Sequence, residues 1–551
     1  MASDTSALQQ ARAAYQPKLP QALRGGEVRV EFGAPTAPST HADEIRALFP
    51  HTYGQPIVTL APGAGNLRTE PLNVGVLLSG GPAPGGHNVI AGLFDALKAA
   101  NPASRLFGFL KGADGVIKGN YRELTAEVIA PYRNTGGFDL IMSSRVKIES
   151  AKDLAACKKH LEDLGIDGLV VVGGDDSNTN AAVLAEYLKA NGSGAVVIGV
   201  PKTIDGDMKN DQIDTSFGFD TCARTYSELI GNIERDAVSS VKYWHFIRLM
   251  GRSASHVTLE CALQTHPNIA LISEEVAAKG TTLDEIVTYI TDVVVRRAAA
   301  GKDYGVLLVP EGLVEFIPDL KAMIDELSHV LGKHEAYLHG LADHSERVQF
   351  LNEQLTAPSA KVYGSLPEDA QEVLLRRDSH GNVPLSQVET ERLLMDLVAD
   401  RIALMKAEGK TQAKFSPLSH FLGYEGRCAA PSNYDADYCY SLGYAAAQLV
   451  RAGLTGYTAN VRNTVRPADE WVAGGVPVTM MLNMERRKGA PTPVIRKALV
   501  DIGGKPFQEF ASNREAWALE DRYVFPGPIQ YFGPSEVVDR PPYTVLLEKS
   551  A

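Results

Sequence analysis

The chain has 551 residues, 44% of them hydrophobic, and 54 Lys and Arg against 66 Asp and Glu give a formal charge of −12. That length allows two or three domains, and the mildly acidic balance argues against nucleic acid or an anionic membrane as the main partner. No apolar run approaches the ~18 residues of a membrane span, and the N-terminus lacks the hydrophobic core of a secretory signal. The five cysteines, Cys157, Cys222, Cys261, Cys428 and Cys439, are scattered without a CxxC pair, which fits a reduced, cytoplasmic compartment.

Residues 1–70, rich in Pro, Ala, Gly and charge, read as an extension packed on the main body and carry no recognisable chemistry. A first core strand is expected over Leu72 to Leu78, followed by the glycine-rich run GGPAPGGHN from Gly80 to Asn88. Ile90, Leu93, Phe94 and Leu97 then recur at helical spacing. Strand, glycine-rich loop and helix together can cradle a phosphate, because loop N–H groups and a helix N-terminus both favour anions. The run is neither GxxxxGK[ST] nor GxGxxG, and a tight βα turn needs glycine whatever it binds. A further βα segment occupies 100–165, with a helix around Ala151 to Leu164.

The rest of the chain is organised around Gly168 to Asp207. Leu169 to Val172 reads as a strand buried on both faces, closed by Gly173 and Gly174. Asp175 and Asp176 are expected in the loop after it, with Ser177 as N-cap of a helix whose apolar face holds Val183, Leu184, Tyr187 and Leu188. A second buried strand, Ala195 to Val200, runs into Pro-Lys-Thr-Ile-Asp-Gly-Asp. Ligands of open α/β sheets bind at the carboxyl ends of the strands, so Asp175, Asp176, Lys202, Thr203, Asp205 and Asp207 should converge. Four carboxylates and a lysine in one crevice suit metal-assisted phosphoryl chemistry.

From Phe217 a long amphipathic helix is expected, with Ala223, Tyr226, Leu229, Ile230 and Ile233 on one face. A second set of strands follows: Trp244 to Leu249, closed by Met250-Gly251-Arg252; Asn268 to Ile272; and Tyr304 to Val309, ending in Pro310-Glu311-Gly312. Two sets of βα units predict two similar domains across a cleft. Residues 315–415 turn helical and charged, with apolar stripes such as Leu393, Leu394, Leu397, Ile402 and Leu404. That insertion holds His334, Glu335, His339 and His344, but HExxxH does not put both histidines on one helix face as HExxH does. Solvated helical histidines are expected there, rather than zinc ligands. After it come Gly423-Tyr424-Glu425-Gly426-Arg427, a helix near Asp435 to Val450, a strand near Tyr457 to Val461, and a mixed C-terminal hundred.

The motifs GGPAPGGHN, GGDDSNTNA, PKTIDGD, MGR and PEG, followed by GYEGR, resemble the phosphofructokinase family in the family's order. More narrowly, they are similar to its long pyrophosphate-dependent 6-phosphofructokinases. The resemblance covers roughly residues 70–315 and 415–465. It implies an α/β fold of two similar Rossmann-like three-layer α/β/α domains facing across a cleft. The division expected is an N-terminal extension (1–70), a pyrophosphate- and Mg2+-binding domain (71–240), and a fructose 6-phosphate-binding domain (241–314 and 416–480). A helical insertion (315–415) and a C-terminal segment on the body (481–551) complete it.

Carried onto this sequence, the resemblance assigns Gly81 to pyrophosphate and Asp175 to Mg2+. Asp205 matches the acceptor of the sugar 1-hydroxyl proton, with Thr203, Ile204 and Asp207 beside it. Asp176 and Lys202 fall where the family distinguishes pyrophosphate from ATP, and count with Asp205 as catalytic. Met250, Gly251, Arg252, Glu311, Tyr424, Glu425, Gly426 and Arg427 match contacts to fructose 6-phosphate. Lys242 and Tyr243 match positions that reach a neighbouring subunit's site, which implies a homodimer or homotetramer. The implied activity is Mg2+-dependent, reversible phosphate transfer from pyrophosphate to the 1-hydroxyl of fructose 6-phosphate. An ATP-dependent phosphofructokinase is opposed by the second Asp of GGDD, and a non-catalytic regulatory subunit by the intact TIDGD and GGDD. A nucleotide or lipid kinase is disfavoured by the sugar-phosphate set MGR, PEG and GYEGR.

Overall fold

The computed structural model describes residues 5–25, 27–65, 67–341, 343–376, 388–487 and 490–549. In chain order the strands are β1 (Val28–Pro35), β2 (Pro56–Pro62), β3 (Asn73–Ser79), β4 (Arg105–Phe109), β5 (Tyr121–Glu123), β6 (Ser143–Ser144), β7 (Gly168–Gly173) and β8 (Val196–Pro201). They continue as β9 (Tyr243–Leu249), β10 (Ile269–Ala270), β11 (Tyr304–Pro310), β12 (Pro417–Leu422), β13 (Tyr457–Arg462), β14 (Val472–Pro477), β15 (Leu482–Arg487) and β16 (Ala490–Ile495). The chain forms two compact units. Met1–Thr225, Tyr424–Ala498 and Ile529–Ala551 make the first, and Tyr226–Gly423 with Leu499–Pro528 the second. No helix among the described residues is long and apolar enough to cross a membrane.

The sheet of the first unit runs β1-β2-β14-β13-β8-β7-β3-β4-β5, with β6 beside the end of β3. Its centre, β13-β8-β7-β3-β4, is parallel. Every residue of β7 and β8 is buried, which is why both read as unbroken apolar runs instead of alternating ones. The chain leaves β3 for β4 on one side and returns to β7 on the other, so the winding reverses between β3 and β7. Ligands of such sheets bind at that reversal, outside the carboxyl ends of the strands. Two helices, Gly86–Ala100 and Asn433–Arg451, meet backbone to backbone beside the sheet. A Cβ on Gly92 would lie 2.2 Å from the Tyr440 carbonyl oxygen, and one on Gly443 2.2 Å from that of Val89.

Three boundaries differ from the sequence reading. Val28–Pro35 and Pro56–Pro62, expected as extension only, pair antiparallel and extend the first sheet through β2 and β14. Residues 416–480, grouped above with 241–314, divide: β12 joins β9, whereas β13 pairs with β8 and β14 with β13. The first five residues of β13 are buried, and an apolar run reports burial without saying which sheet buries it. Residues 481–551 divide as well, the β15–β16 hairpin going with the first unit and the helix Lys505–Leu519 with the second.

The second unit holds a four-stranded parallel sheet, β10-β11-β9-β12. The expected helical insertion is present as Pro318–Gly340, His344–Gln354, Ala357–Ser365, Glu368–Leu374 and Thr390–Ala407. Its Leu320, Met323, Leu327, Leu394 and Val398 share one core with Trp244, Phe246 and Leu307 of the strands. Leu404, expected in that stripe, is 67% exposed at the last turns of its helix. Of the insertion's histidines, His334 lies at a kink and His344 bonds Gln371 at 3.0 Å through Nε2, so His344 is not simply solvated. The side chains of Glu335 and His339 lie outside the described residues.

Candidate active site

β3, β7 and β8 are neighbours, and each ends in polar, glycine-bearing chain. Beyond β3, Gly80 takes φ +83°, which glycine adopts without a Cβ penalty. A Cβ there would sit 3.2 Å from Lys202 Nζ, and one on Gly81 would sit 3.2 Å from the guanidinium carbon of Arg427. Two bare stretches of backbone therefore lie against two cations, an arrangement that admits an anion where a side chain would block it. Tyr424–Arg427 is a short helix in which Tyr424 and Glu425 are exposed, Gly426 is buried, and Arg427 stands 5.2 Å from the centre of the Tyr424 ring. GYEGR, the motif most distant in sequence, thus delivers Arg427 to the glycine-rich loop.

Beyond β7 the helix begins at Asp175, with Gly174 as its N-cap, and runs to Ala190. Asp175 and Asp176 are therefore its first two residues, not loop residues, and Ser177 is not the cap. Gly173 and Gly174 complete the turn so quickly that the acids fall inside the first helical turn, where the helix dipole favours carboxylates. Ser177 instead donates to Ser79 Oγ at 2.9 Å, tying the end of β7 to that of β3. The Asn178 amide donates to the carbonyls of Gly173 (2.7 Å) and Gly174 (3.0 Å), fixing the turn. Asp176 Oδ2 pairs with Lys147 Nζ at 2.8 Å.

Beyond β8, Lys202 donates its N–H to the Gly173 carbonyl at 2.9 Å and its side chain is buried. Burial pulls its pKa down to about 8; Asp205 and Asp175 favour the ammonium, while Arg427 and Arg145 oppose it. The Asp205 N–H donates to Thr203 Oγ1 at 3.1 Å and the Ser216 hydroxyl to the Thr203 carbonyl at 2.9 Å, which shape the TIDGD turn. Ile204 is buried, so its backbone alone could face a substrate. Asp207 is buried too, and its pKa is pushed up to about 7, first by burial and then by Asp205, against the pull of Lys497.

Lys497 Nζ lies 3.7 Å from Asp175 Oδ2 and 3.6 Å from Asp207 Oδ2. Burial works against its charge, but Asp175, Asp207, Asp205 and Asp176 outweigh it and hold its pKa above the ordinary lysine value. Arg145, Lys147 and Lys497 were not among the residues singled out by sequence. They lie in a loop after β6 and in the C-terminal stretch, and folding brings Lys147 and Lys497 to the acids and Arg145 near Lys202.

In the second unit, β9 and β11 run side by side with Leu249 opposite Pro310, so Met250-Gly251-Arg252 and Glu311-Gly312 leave the sheet together. Gly251, at φ +128°, donates its N–H to Glu311 Oε2 at 3.3 Å. A Cβ on Gly312 would lie 1.9 Å from the Arg252 carbonyl oxygen, so only glycine allows this approach. Met250 is buried, Glu311 half-buried and Arg252 exposed. Lys242 and Tyr243 stand apart at the amino end of β9, about 23 Å from this group at ~3.3 Å per residue. The Lys242 ammonium lies 4.8 Å from the Tyr243 ring centre.

Residues 73–450 match the family described as phosphofructokinase. The chain is 56% identical over 546 residues to the pyrophosphate--fructose 6-phosphate 1-phosphotransferase of Porphyromonas gingivalis, with 99% of each chain covered. It is 52% identical over 558 residues to the protein of the same name from Treponema pallidum, covering 99% of this chain and 97% of the other. Among solved structures it resembles a pyrophosphate-dependent phosphofructokinase from Nitrosospira multiformis with a TM-score of 0.51 at 16% identity, over 73% of this chain and 82% of that one. That last likeness is one of fold.

Proposed function

The chain belongs to the phosphofructokinase family, and from that membership we propose that it transfers a phosphoryl group reversibly from pyrophosphate to the 1-hydroxyl of fructose 6-phosphate, using Mg2+. The observation that carries this reading is the meeting of Gly80 and Gly81 with Lys202 and Arg427 beside the carboxylates that follow β7 and β8. Phosphoryl transfer needs positioned phosphates, cationic stabilisation and an aimed hydroxyl more than it needs covalent chemistry. In this reading the glycine backbone holds pyrophosphate together with Arg427, which the resemblance matched to fructose 6-phosphate but which stands against Gly81, and Lys202 lies on the oxygens that gain charge as the bond breaks. Asp205 receives the proton of the sugar hydroxyl. Met250, Gly251, Arg252 and Glu311 serve fructose 6-phosphate, Arg252 offering a forked donor suited to its phosphate.

The donor set fits a divalent cation: Asp175 and Asp207 place carboxylates around one positive charge, the Lys497 ammonium, and hard oxygens of this kind suit Mg2+ shared with phosphates. Bound at Asp175, the metal would neutralise phosphate charge and orient the transferred group. Asp176 supports pyrophosphate over ATP, since a third phosphate would have to approach its carboxylate. The position of Lys242 and Tyr243 at the far end of β9 supports their serving the site of a second copy, in a homodimer or homotetramer. The free thiols of Cys157, Cys222, Cys261, Cys428 and Cys439 suit a cytoplasmic setting. The test is product balance: purified protein with pyrophosphate, fructose 6-phosphate and Mg2+ should give fructose 1,6-bisphosphate and phosphate one to one. Absence of the bisphosphate would overturn the reading.

A further inference from the structure

Lys497 lies beyond every motif read from the sequence, yet the fold anchors it in the centre of the carboxylates. Three backbone bonds fix its stretch of chain. The Ile495 N–H donates to Thr179 Oγ1 at 3.3 Å, on the helix that begins with Asp175. The Arg496 N–H donates to the Met481 carbonyl at 3.1 Å, and the Ala498 N–H to the Asp207 carbonyl at 2.7 Å. Residue 497 is thus clamped between the helix that carries Asp175 and the turn that carries Asp207. A lysine placed only to cover surface would not need its backbone tied to both acidic segments.

The ammonium lies 3.7 and 3.6 Å from Asp175 and Asp207, and its side chain keeps 36% exposure. Asp175, Asp205 and Asp207 would otherwise gather negative charge where a polyanionic substrate has to enter. Lys202, the other lysine of this group, is buried, so Lys497 is the more accessible of the two.

We propose that Lys497 is a pyrophosphate-binding residue of this site, its ammonium taking a phosphate oxygen on the Asp175 side while Arg427 and Lys202 hold the Gly80–Gly81 side. The assignment rests on the pyrophosphate reading above. With the site empty, Lys497 offsets the carboxylates; with pyrophosphate bound, it turns the same charge toward the phosphate. Two positive charges within 4 Å repel strongly near a protein surface, so a divalent cation at Asp175 would drive the ammonium the same way.

The experiment compares wild type, Lys497→Met and Lys497→Arg by two readouts. One is the rise in thermal midpoint produced by pyrophosphate with Mg2+ in the absence of sugar; the other is the split of KM and kcat for each substrate. Loss of a hydrogen bond to a charged group typically costs about 10- to 100-fold in binding. Lys497→Met should therefore raise KM for pyrophosphate about 10- to 100-fold, leave KM for fructose 6-phosphate within twofold, and lose most of the thermal rise. Lys497→Arg, which keeps the charge and the fold, should retain most of it. An unchanged KM for pyrophosphate in Lys497→Met, or equal rises in KM for both substrates, overturns the assignment. If wild type is stabilised by pyrophosphate but makes no bisphosphate, the functional reading fails while the thermal comparison still decides the role of Lys497.

Discussion

At the scale of single residues, the carboxyl ends of β7 and β8 assign neighbouring aspartates to different work by environment. Asp207 is buried and holds its proton up to about pH 7, whereas Asp205, two residues earlier, sits half-exposed on a turn shaped by Thr203. Asp205 is thus the better placed to meet a sugar hydroxyl. Asp205→Ala should lower kcat by about 100- to 10,000-fold, the usual cost of losing a general base, with KM for fructose 6-phosphate nearly unchanged. Steady-state kinetics at saturating Mg2+ check this, and near-normal turnover would refute the role. Asp176 is held by Lys147, so its carboxylate points to a fixed place instead of sweeping through solvent. Asp176→Gly should lower kcat/KM for pyrophosphate and lift the ATP-dependent value above background, and donor selectivity equal to wild type would remove Asp176 from donor choice. The sequence showed Asp176 but not Lys147, because an isolated lysine 29 residues upstream carries no local signal.

At the scale of elements, what the sequence made legible followed from periodicity and glycine. β7, β8 and β11 were readable because strands buried on both faces are continuous apolar runs, and the long helix Phe219–Ser240 because its apolar face repeats. The sheet to which Tyr457–Arg462 belongs was not readable, since burial is local information and strand pairing is not. Nor was the start of the helix at Asp175: Ser177 has the chemistry of a cap, but the two glycines finish the turn before it. The helix Phe219–Ser240 also carries Glu234, fully buried in the second unit. Burial raises its pKa well above the ordinary glutamate value, with Thr265 partly opposing. The folded protein thus keeps a proton that the unfolded chain releases near pH 4.3, so stability falls as pH rises above that point, by about 1.4 kcal/mol per pH unit until the folded-state value is reached. Glu234→Gln removes the slope. Urea unfolding at pH 6 and pH 8 should show wild type losing more stability than the variant, and equal losses would show that Glu234 is already ionised in the folded state.

At the scale of the whole molecule, two units carry complementary chemistry, each at the carboxyl ends of its own parallel strands. The first gathers Gly80, Gly81, Asp175, Asp176, Lys202, Asp205, Arg427 and Lys497, a set suited to a polyphosphate with a metal. The second joins Met250-Gly251-Arg252 to Glu311, a set suited to a phosphorylated sugar. The motifs after β3, β7, β8, β9 and β11 were legible because each follows a strand that the sequence shows. What the sequence could not supply was the crossing of Arg427 to Gly81 and the return of Lys497, both made by segments more than 200 residues away in the chain. The central claim is that this arrangement selects pyrophosphate as donor. The measurement that tests it most directly is kcat/KM for pyrophosphate and for ATP, taken on the same preparation at saturating fructose 6-phosphate and Mg2+. The arrangement predicts efficient turnover with pyrophosphate and an ATP value near background; an equal or higher value with ATP would contradict it.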